Sequence, residues 1–263
     1  AHAMATSVKA ILDCIGVDTG GTVSVLGRMF GFFRGRVPPD PDTSVTAEVS
    51  VLQLVRDLQG PHIHVNVIRV GFDTLSSDGQ DEGFEKLDYA IYRIRNIYRP
   101  VGLGVGRVEH YFIDAADSNG RDDIGSEDEA EALADEWSVP GTGIDAFVVR
   151  NISDDDFVGR SPIGGNCDKG EKDDGLIAGE INRDAESFSR TFAHEIGHFL
   201  GLEHNHGGGD DCENCPSTTT GCNNLMAQTR CANCCGSGVR TAVLLTSGQG
   251  SDMRGHCSVR SGC

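Results

Sequence analysis

His194-Glu195-Ile196-Gly197-His198-Phe199-Leu200-Gly201-Leu202-Glu203-His204 is the stretch on which the reading of this chain turns. On a helix, residues four apart lie on one face, one turn above the other. His194 and His198 therefore present their imidazoles to one point. Zinc accepts imidazole nitrogen at about 2.0–2.1 Å, and two such ligands on one helix are pre-organised. Glu195 follows the first of them, where a carboxylate can sit beside a metal without binding it and act as a base on water. A catalytic zinc needs a third protein ligand and an open fourth position. His204 comes six residues after His198, which on a straight helix is another face. Gly201 removes the difficulty, because glycine tolerates φ > 0 and can end the helix in a turn that swings His204 back. The expected site is His194, His198 and His204 around Zn²⁺, with Glu195 as general base. A bare His-Glu-x-x-His arises by chance on amphipathic helices, its histidines facing solvent. The added Gly201 and His204 argue against that reading.

Working outward, Ser187–Leu202 reads as a helix with a Ser cap and Gly at its close. His62–Val70 alternates polar and apolar residues rich in β-branched types, as a strand does. Phe84–Tyr98 carries apolar residues at helical spacing, and Pro100 follows its end. Val101–Ile113 reads as a strand, and Ser126 starts a capped acidic helix running towards Trp137. Ile144–Ile152 and Leu176–Ile181 are further strands. The alternation of strands and helices predicts an α/β domain with a mixed sheet. Residues 1–59 contain the breakers Gly20-Gly21 and Pro38-Pro39-Asp40-Pro41-Asp42. They read as an N-terminal extension, the remnant of a pro-segment, or extra strands. Residues 60–263 form the main domain, with an upper subdomain over about 60–204 and a cysteine-rich lower one over about 205–263.

The chain has 263 residues, 38% of them hydrophobic, enough for a sizeable core. Its net charge of −18 and pI near 4.7 repel nucleic acid and anionic lipid, so neither is expected as a partner. The acidic stretches Asp114–Asp123 and Asp154–Asp156 make Ca²⁺ a second candidate cofactor, although neither follows the spaced calcium loop with its central Gly. No apolar run is long enough to span a bilayer. No leader is visible, and the opening Ala-His-Ala-Met resembles a tag remnant.

Eight of the ten cysteines fall in the last 52 residues. Such density fits disulfides and a secreted protein whose leader has been removed. Cys212-x2-Cys215 and Cys231-x2-Cys234, with fifteen residues between, also match a four-thiolate zinc site. Cys14 and Cys167 lie outside the tail. They pair with each other, or Cys167 pairs with the tail; either thiol, or Asp18, could instead block the metal. His62 and His64 share one face of a strand and read as structural or exposed. His206 reads as a surface residue, and His110 and His256 carry no supporting context. Asn151-Ile152-Ser153 is a glycosylation sequon.

The eleven-residue stretch resembles the signature His-Glu-x-x-His-x-x-Gly-x-x-His of the metzincin clan of metallopeptidases at every fixed position. Asn223-Asn224-Leu225-Met226-Ala227 is similar to the clan's methionine turn, which makes Met226 the packing floor beneath the metal. Leu245–Arg254 is similar to the start of its C-terminal helix. The resemblance implies a twisted mixed sheet with two long helices over a cleft, and an irregular lower subdomain. It implies a zinc-dependent endopeptidase acting on protein or peptide substrates; a monomer is expected. Asn205, after the third histidine, matches no main subfamily. Gln228 stands where some members place a tyrosine ligand, so no such ligand is expected here. The alternatives are a catalytically inactive zinc-binding or adhesion module, and a zinc amidase acting on cell-wall crosslinks. Glu195 argues against the first, since a purely structural site needs no such carboxylate.

Overall fold

The computed structural model describes residues 59–71, 82–153, 157–170, 173–179, 184–205, 223–227 and 242–262. In chain order these form β1 (Pro61–Val70), α1 (Glu82–Tyr98), β2 (Gly104–Ile113), β3 (Asp123–Ile124) and α2 (Glu127–Glu136). β4 (Ile144–Val149), β5 (Asn151–Ile152), β6 (Gly159–Arg160), β7 (Gly175–Ala178), α3 (Ala185–Phe199), α4 (Ser247–Gly255) and β8 (Arg260–Ser261) follow. The sheet runs β2-β1-β4-β7-β6. Its first four strands are parallel, and β6 lies antiparallel to β7 at the edge. β8 returns from the C-terminal end to pair antiparallel with the start of β1. This is the α/β architecture with a mixed sheet that the alternation predicts.

Helices cover both faces, which is why a parallel sheet is buried throughout. Leu87, Ile94 and Tyr98 of α1 share one core cluster with Phe188, Phe192 and Ile196 of α3 and with Ile63, Val65 and Val67 of β1. Ala130 and Leu133 of α2 pack on the other face, against Ile68, Phe147 and Ile177. β1 is accordingly buried from His62 to Val70. Of the two readings of His62 and His64, structural or exposed, the first holds: they are buried at 2% and 8% exposure.

Several expected boundaries move for identifiable reasons. β2 starts at Gly104 rather than Val101, because Arg99–Val101 forms a 3-10 turn that Gly102 ends at φ 74°. Ile144–Ile152 is not one strand. The N–H groups of Arg150 and Asn151 both donate to the Asp122 carbonyl, at 2.9 and 3.1 Å, and turn the chain out to pair β5 with β3. The cap of α3 is Asp184, whose side chain accepts from the Ser187 N–H at 2.9 Å; Ser187 is the third helical residue. α2 does begin as expected, with the Ser126 side chain accepting from the Glu129 N–H.

Cys167 pairs with Cys257, the tail partner rather than Cys14. The bond ties the loop after β6 to the segment after α4, and it leaves Cys167 no free thiol to block a metal. Cys14, Asp18, the other tail cysteines, His206, Gln228 and Asp154–Asp156 lie outside the described residues. No described helix is long and apolar enough to cross a membrane.

Candidate metal centre

α3 delivers the first two histidines. It begins at the Asp184 cap and is buried along almost its whole length. At its end the N–H groups of Gly164 and Gly165 donate to the carbonyls of His198 and Phe199, at 2.9 and 2.8 Å. These are carbonyls a helix end leaves without partners. Gly201 follows at φ 93°, a backbone conformation strained for any other residue, and the Leu202 N–H closes back on the Gly197 carbonyl at 3.0 Å. The turn brings His204 round to the first two histidines, as the spacing predicts.

The three rings converge through their Nε2 atoms. His204 Nε2 lies 3.2 Å from that of His194 and 3.1 Å from that of His198. The far nitrogens are committed elsewhere. His194 Nδ1 donates to the Leu225 carbonyl at 2.8 Å, and His198 Nδ1 donates to the Leu202 carbonyl at 2.7 Å. Both Nε2 atoms are therefore lone pairs, aimed at one point. Lone pairs repel unless a cation stands between them. Tetrahedral ligands at about 2.0–2.1 Å from one zinc ion would lie about 3.3 Å apart, close to the separations found. The donor set fits zinc, and the carbonyls that orient the rings are the outer partners such a site requires. The His198 imidazole is lowered to about 4, chiefly by burial; the bond to the Leu202 carbonyl opposes this, and His204 beside it adds to it. Burial also lowers His204. Neutral imidazole, the form a metal needs, is thus favoured at both positions.

The neighbouring groups are closely packed. Met226 is fully buried, and a methyl placed on Gly197 would stand 2.7 Å from its Sδ. Glycine at 197 is what lets the methionine lie directly against the helix. Asn205, which follows the third histidine, donates its N–H to the Met226 carbonyl at 3.0 Å. Glu195 is buried at 5% exposure. A methyl on Gly159 would meet its Oε1 at 2.6 Å, so the edge strand β6 passes directly over this carboxylate. Tyr98 donates its hydroxyl to the Ala193 carbonyl at 2.6 Å. Burial, and then the charge of Glu195, raise that phenol well above its ordinary value.

The other described histidines stand apart from the cluster. His62 and His64 lie side by side on β1 with ring centroids 5.1 Å apart. His110 is lowered by burial and by Arg69. His256 donates Nε2–H to the Gly165 carbonyl at 3.1 Å and faces the Phe199 ring, so it braces the loop over the end of α3. The only other group of metal-ligating type among the described residues is Cys167, His256 and Cys257, which contains the disulfide. The described acidic stretch Asp114–Asp123 supplies no such group. Sequence reasoning missed the carbonyls of Leu202 and Leu225 and the close passage of Gly159, because backbone groups leave no mark in a residue pattern.

A helix-borne His194–His198 pair with a third histidine past a glycine turn is the arrangement that the resemblance to the metzincin signature implied. Residues 113–243, a stretch that contains all three histidines, match Metallo-peptidase family M12B, Reprolysin-like. None of the curated proteins matches the chain. Among solved structures it is similar to archaemetzincin from Methanopyrus kandleri, at 14% identity over 73% of this chain and 94% of that one, with a TM-score of 0.41. It is similar also to metalloproteinase-II from Bacteroides fragilis, at 14% identity over 75% of this chain and 53% of that one, with a TM-score of 0.44.

Proposed function

We propose that the protein is a zinc-dependent endopeptidase in which His194, His198 and His204 hold the metal and Glu195 moves the proton. The observation that carries this is the convergence of three Nε2 atoms, two of them made lone pairs by hydrogen bonds on the opposite side of each ring. Zinc bound there supplies Lewis acidity, which polarises a peptide carbonyl and makes water easier to deprotonate. Glu195 follows His194 on the helix and takes the proton from the attacking water. It then delivers that proton to the departing amine nitrogen. Its burial keeps bulk water from competing for the carboxylate. β6, the last strand in the sheet order, runs past Glu195 and offers an extended substrate main-chain pairing. The Cys167–Cys257 bond suits an oxidising compartment, and we place the enzyme outside the cell.

Glu195→Gln tests the assignment, because the amide keeps the shape and loses the base. The variant should bind one zinc per chain and hydrolyse a casein or peptide-library substrate at least about a hundredfold more slowly. Near-normal hydrolysis would refute the role of Glu195. Absence of bound zinc in the unaltered protein would refute the metal site itself.

A further inference from the structure

The methionine turn is tied to α4 by two side-chain amides. Asn224 is fully buried. Its Nδ2 donates to Gln249 Oε1 at 2.8 Å, and Gln249 Nε2 donates back to Asn224 Oδ1 at 3.0 Å. The two amides thus form a closed ring of two hydrogen bonds. Each oxygen also accepts a backbone N–H. Asn224 Oδ1 takes that of Met226 at 2.9 Å, inside the turn; Gln249 Oε1 takes that of Thr246 at 2.9 Å, in the capping box that starts α4. Each oxygen thus accepts two bonds and each nitrogen donates one across the ring, and reversing either amide would set oxygen against oxygen or N–H against N–H.

The peptide held between these fixed points is Leu225–Met226. Its Leu225 carbonyl accepts the Nδ1–H of His194. The Leu225 N–H is fixed too, on the Leu244 carbonyl at 2.8 Å. A chain of directional bonds therefore runs from the cap of α4, through Gln249 and Asn224, to the ring of the first histidine. Partners that orient a ligand set both the tautomer and the direction of its lone pair, and their loss costs about 10–100-fold in metal affinity.

We propose that Asn224 and Gln249 are positioning residues for the metal: they hold the Leu225 carbonyl where it aims His194 Nε2 at the ion. The proposal rests on the zinc site described above. It makes the stretch from residue 246 to 249 part of the metal centre, although none of these residues is a ligand.

Gln249→Met keeps length and removes both amide bonds. Gln249→Glu keeps the oxygen that accepts from Thr246 and Asn224 but sets a second oxygen against Asn224 Oδ1. Each is compared with the unaltered full-length chain in two measurements. Zinc dissociation constants come from competition with a chromogenic chelator. Melting temperatures are taken with and without zinc. The expected result is a dissociation constant raised about tenfold in both variants. The increment in melting temperature produced by zinc should shrink accordingly, since ligand stabilisation follows affinity. Co²⁺ placed in the site should show an altered visible absorption band, reporting a changed ligand geometry. A purely structural role lowers both melting temperatures equally and leaves the increment, the dissociation constant and the Co²⁺ band unchanged; that outcome overturns the proposal. If Gln249→Met does not fold, Gln249→Glu decides alone. If the unaltered chain binds no zinc, the metal site itself fails, a result separate from normal affinity in the variants.

Discussion

The two halves of α3 are held in different ways. From Ala185 to Ala193 the helix is fixed by burial: Phe188 and Phe192 are fully buried and stack with ring centroids 5.8 Å apart. From His194 to Phe199 the decisive contacts are hydrogen bonds, with Leu225 and Leu202 accepting from the rings and Gly164 and Gly165 donating to the helix end. Burial sets where a helix lies but does not aim a lone pair, because the hydrophobic effect has no direction. Hydrogen bonds do have direction. The first half therefore provides position, and the second provides aim. Changes in the first half should act on stability and changes in the second on metal affinity.

Phe192→Ala is the harshest trial of that division. Removing the buried ring should cost about 3–5 kcal/mol in chemical unfolding. The zinc dissociation constant of the protein that remains folded should stay within about threefold of normal. A tenfold weakening would show that core packing also aims the rings, and the distinction between the halves would be lost.

The same contrast separates two buried histidines. His64 and His198 are both brought down to about 4, with burial the main cause. At His64 the positive surroundings of His62, Arg107 and Arg260 add to it, and Nδ1 accepts the Arg107 N–H at 3.0 Å. That bond needs a neutral ring. Because both folded values lie below the ordinary 6.5, the unfolded chain takes up protons first as the pH falls. The contribution of these two rings is then constant above about pH 6.5, drops between 6.5 and 4, and levels off below. His64→Gln should shrink the loss between pH 7.5 and 4.5 by roughly 2–3 kcal/mol, read from urea unfolding of the zinc-free protein. Zinc release over the same range should be unaltered, since His64 lies away from the site. A variant as acid-sensitive as the unaltered chain would mean that His64 is not held neutral.

The sequence was most legible where chemistry depends on residue type at fixed spacing. His194, His198, the Gly201 turn and His204 stand where the motif puts them, and the order of strands and helices follows the change of period along the chain. It was least legible where geometry depends on backbone. The break at Arg150 is caused by a carbonyl of Asp122, nearly thirty residues away in sequence, which no local pattern reports. Asp184 displaced Ser187 as cap because either residue can cap a helix and propensity hardly separates them. For His62 and His64 the spacing left open a structural or an exposed place; helices on both faces of a parallel sheet leave only the buried one. The Thr246–Gln249 capping box was readable as a spacing. Its amide partner Asn224 was not, because the pairing spans 25 residues of chain.

The finest test of the division lies at the start of α3. Glu186 receives both a Nε–H and a Nη2–H from Arg93 of α1, at 2.9 and 2.8 Å, and the Tyr89 hydroxyl at 2.8 Å. Arg190, one turn on, stands 3.4 Å away. Burial alone would raise this carboxyl; the bonds from Arg93 and Tyr89 and the charges of Arg93 and Arg190 outweigh it and hold it below the usual carboxylate range. The group is still about a third exposed, so the network contributes only about 1 kcal/mol. Glu186→Gln should lower stability by about that amount at pH 7. A carboxyl held low contributes above its unfolded value, and the contribution is lost as the pH falls through the folded one. The gap between variant and unaltered chain should therefore close in acid, where Glu186 itself becomes neutral. Zinc affinity should not change, because the network joins α1 to α3 a full two turns before His194. If this modest substitution moved the dissociation constant while leaving stability intact, aim would begin at the first turn of the helix rather than at its middle.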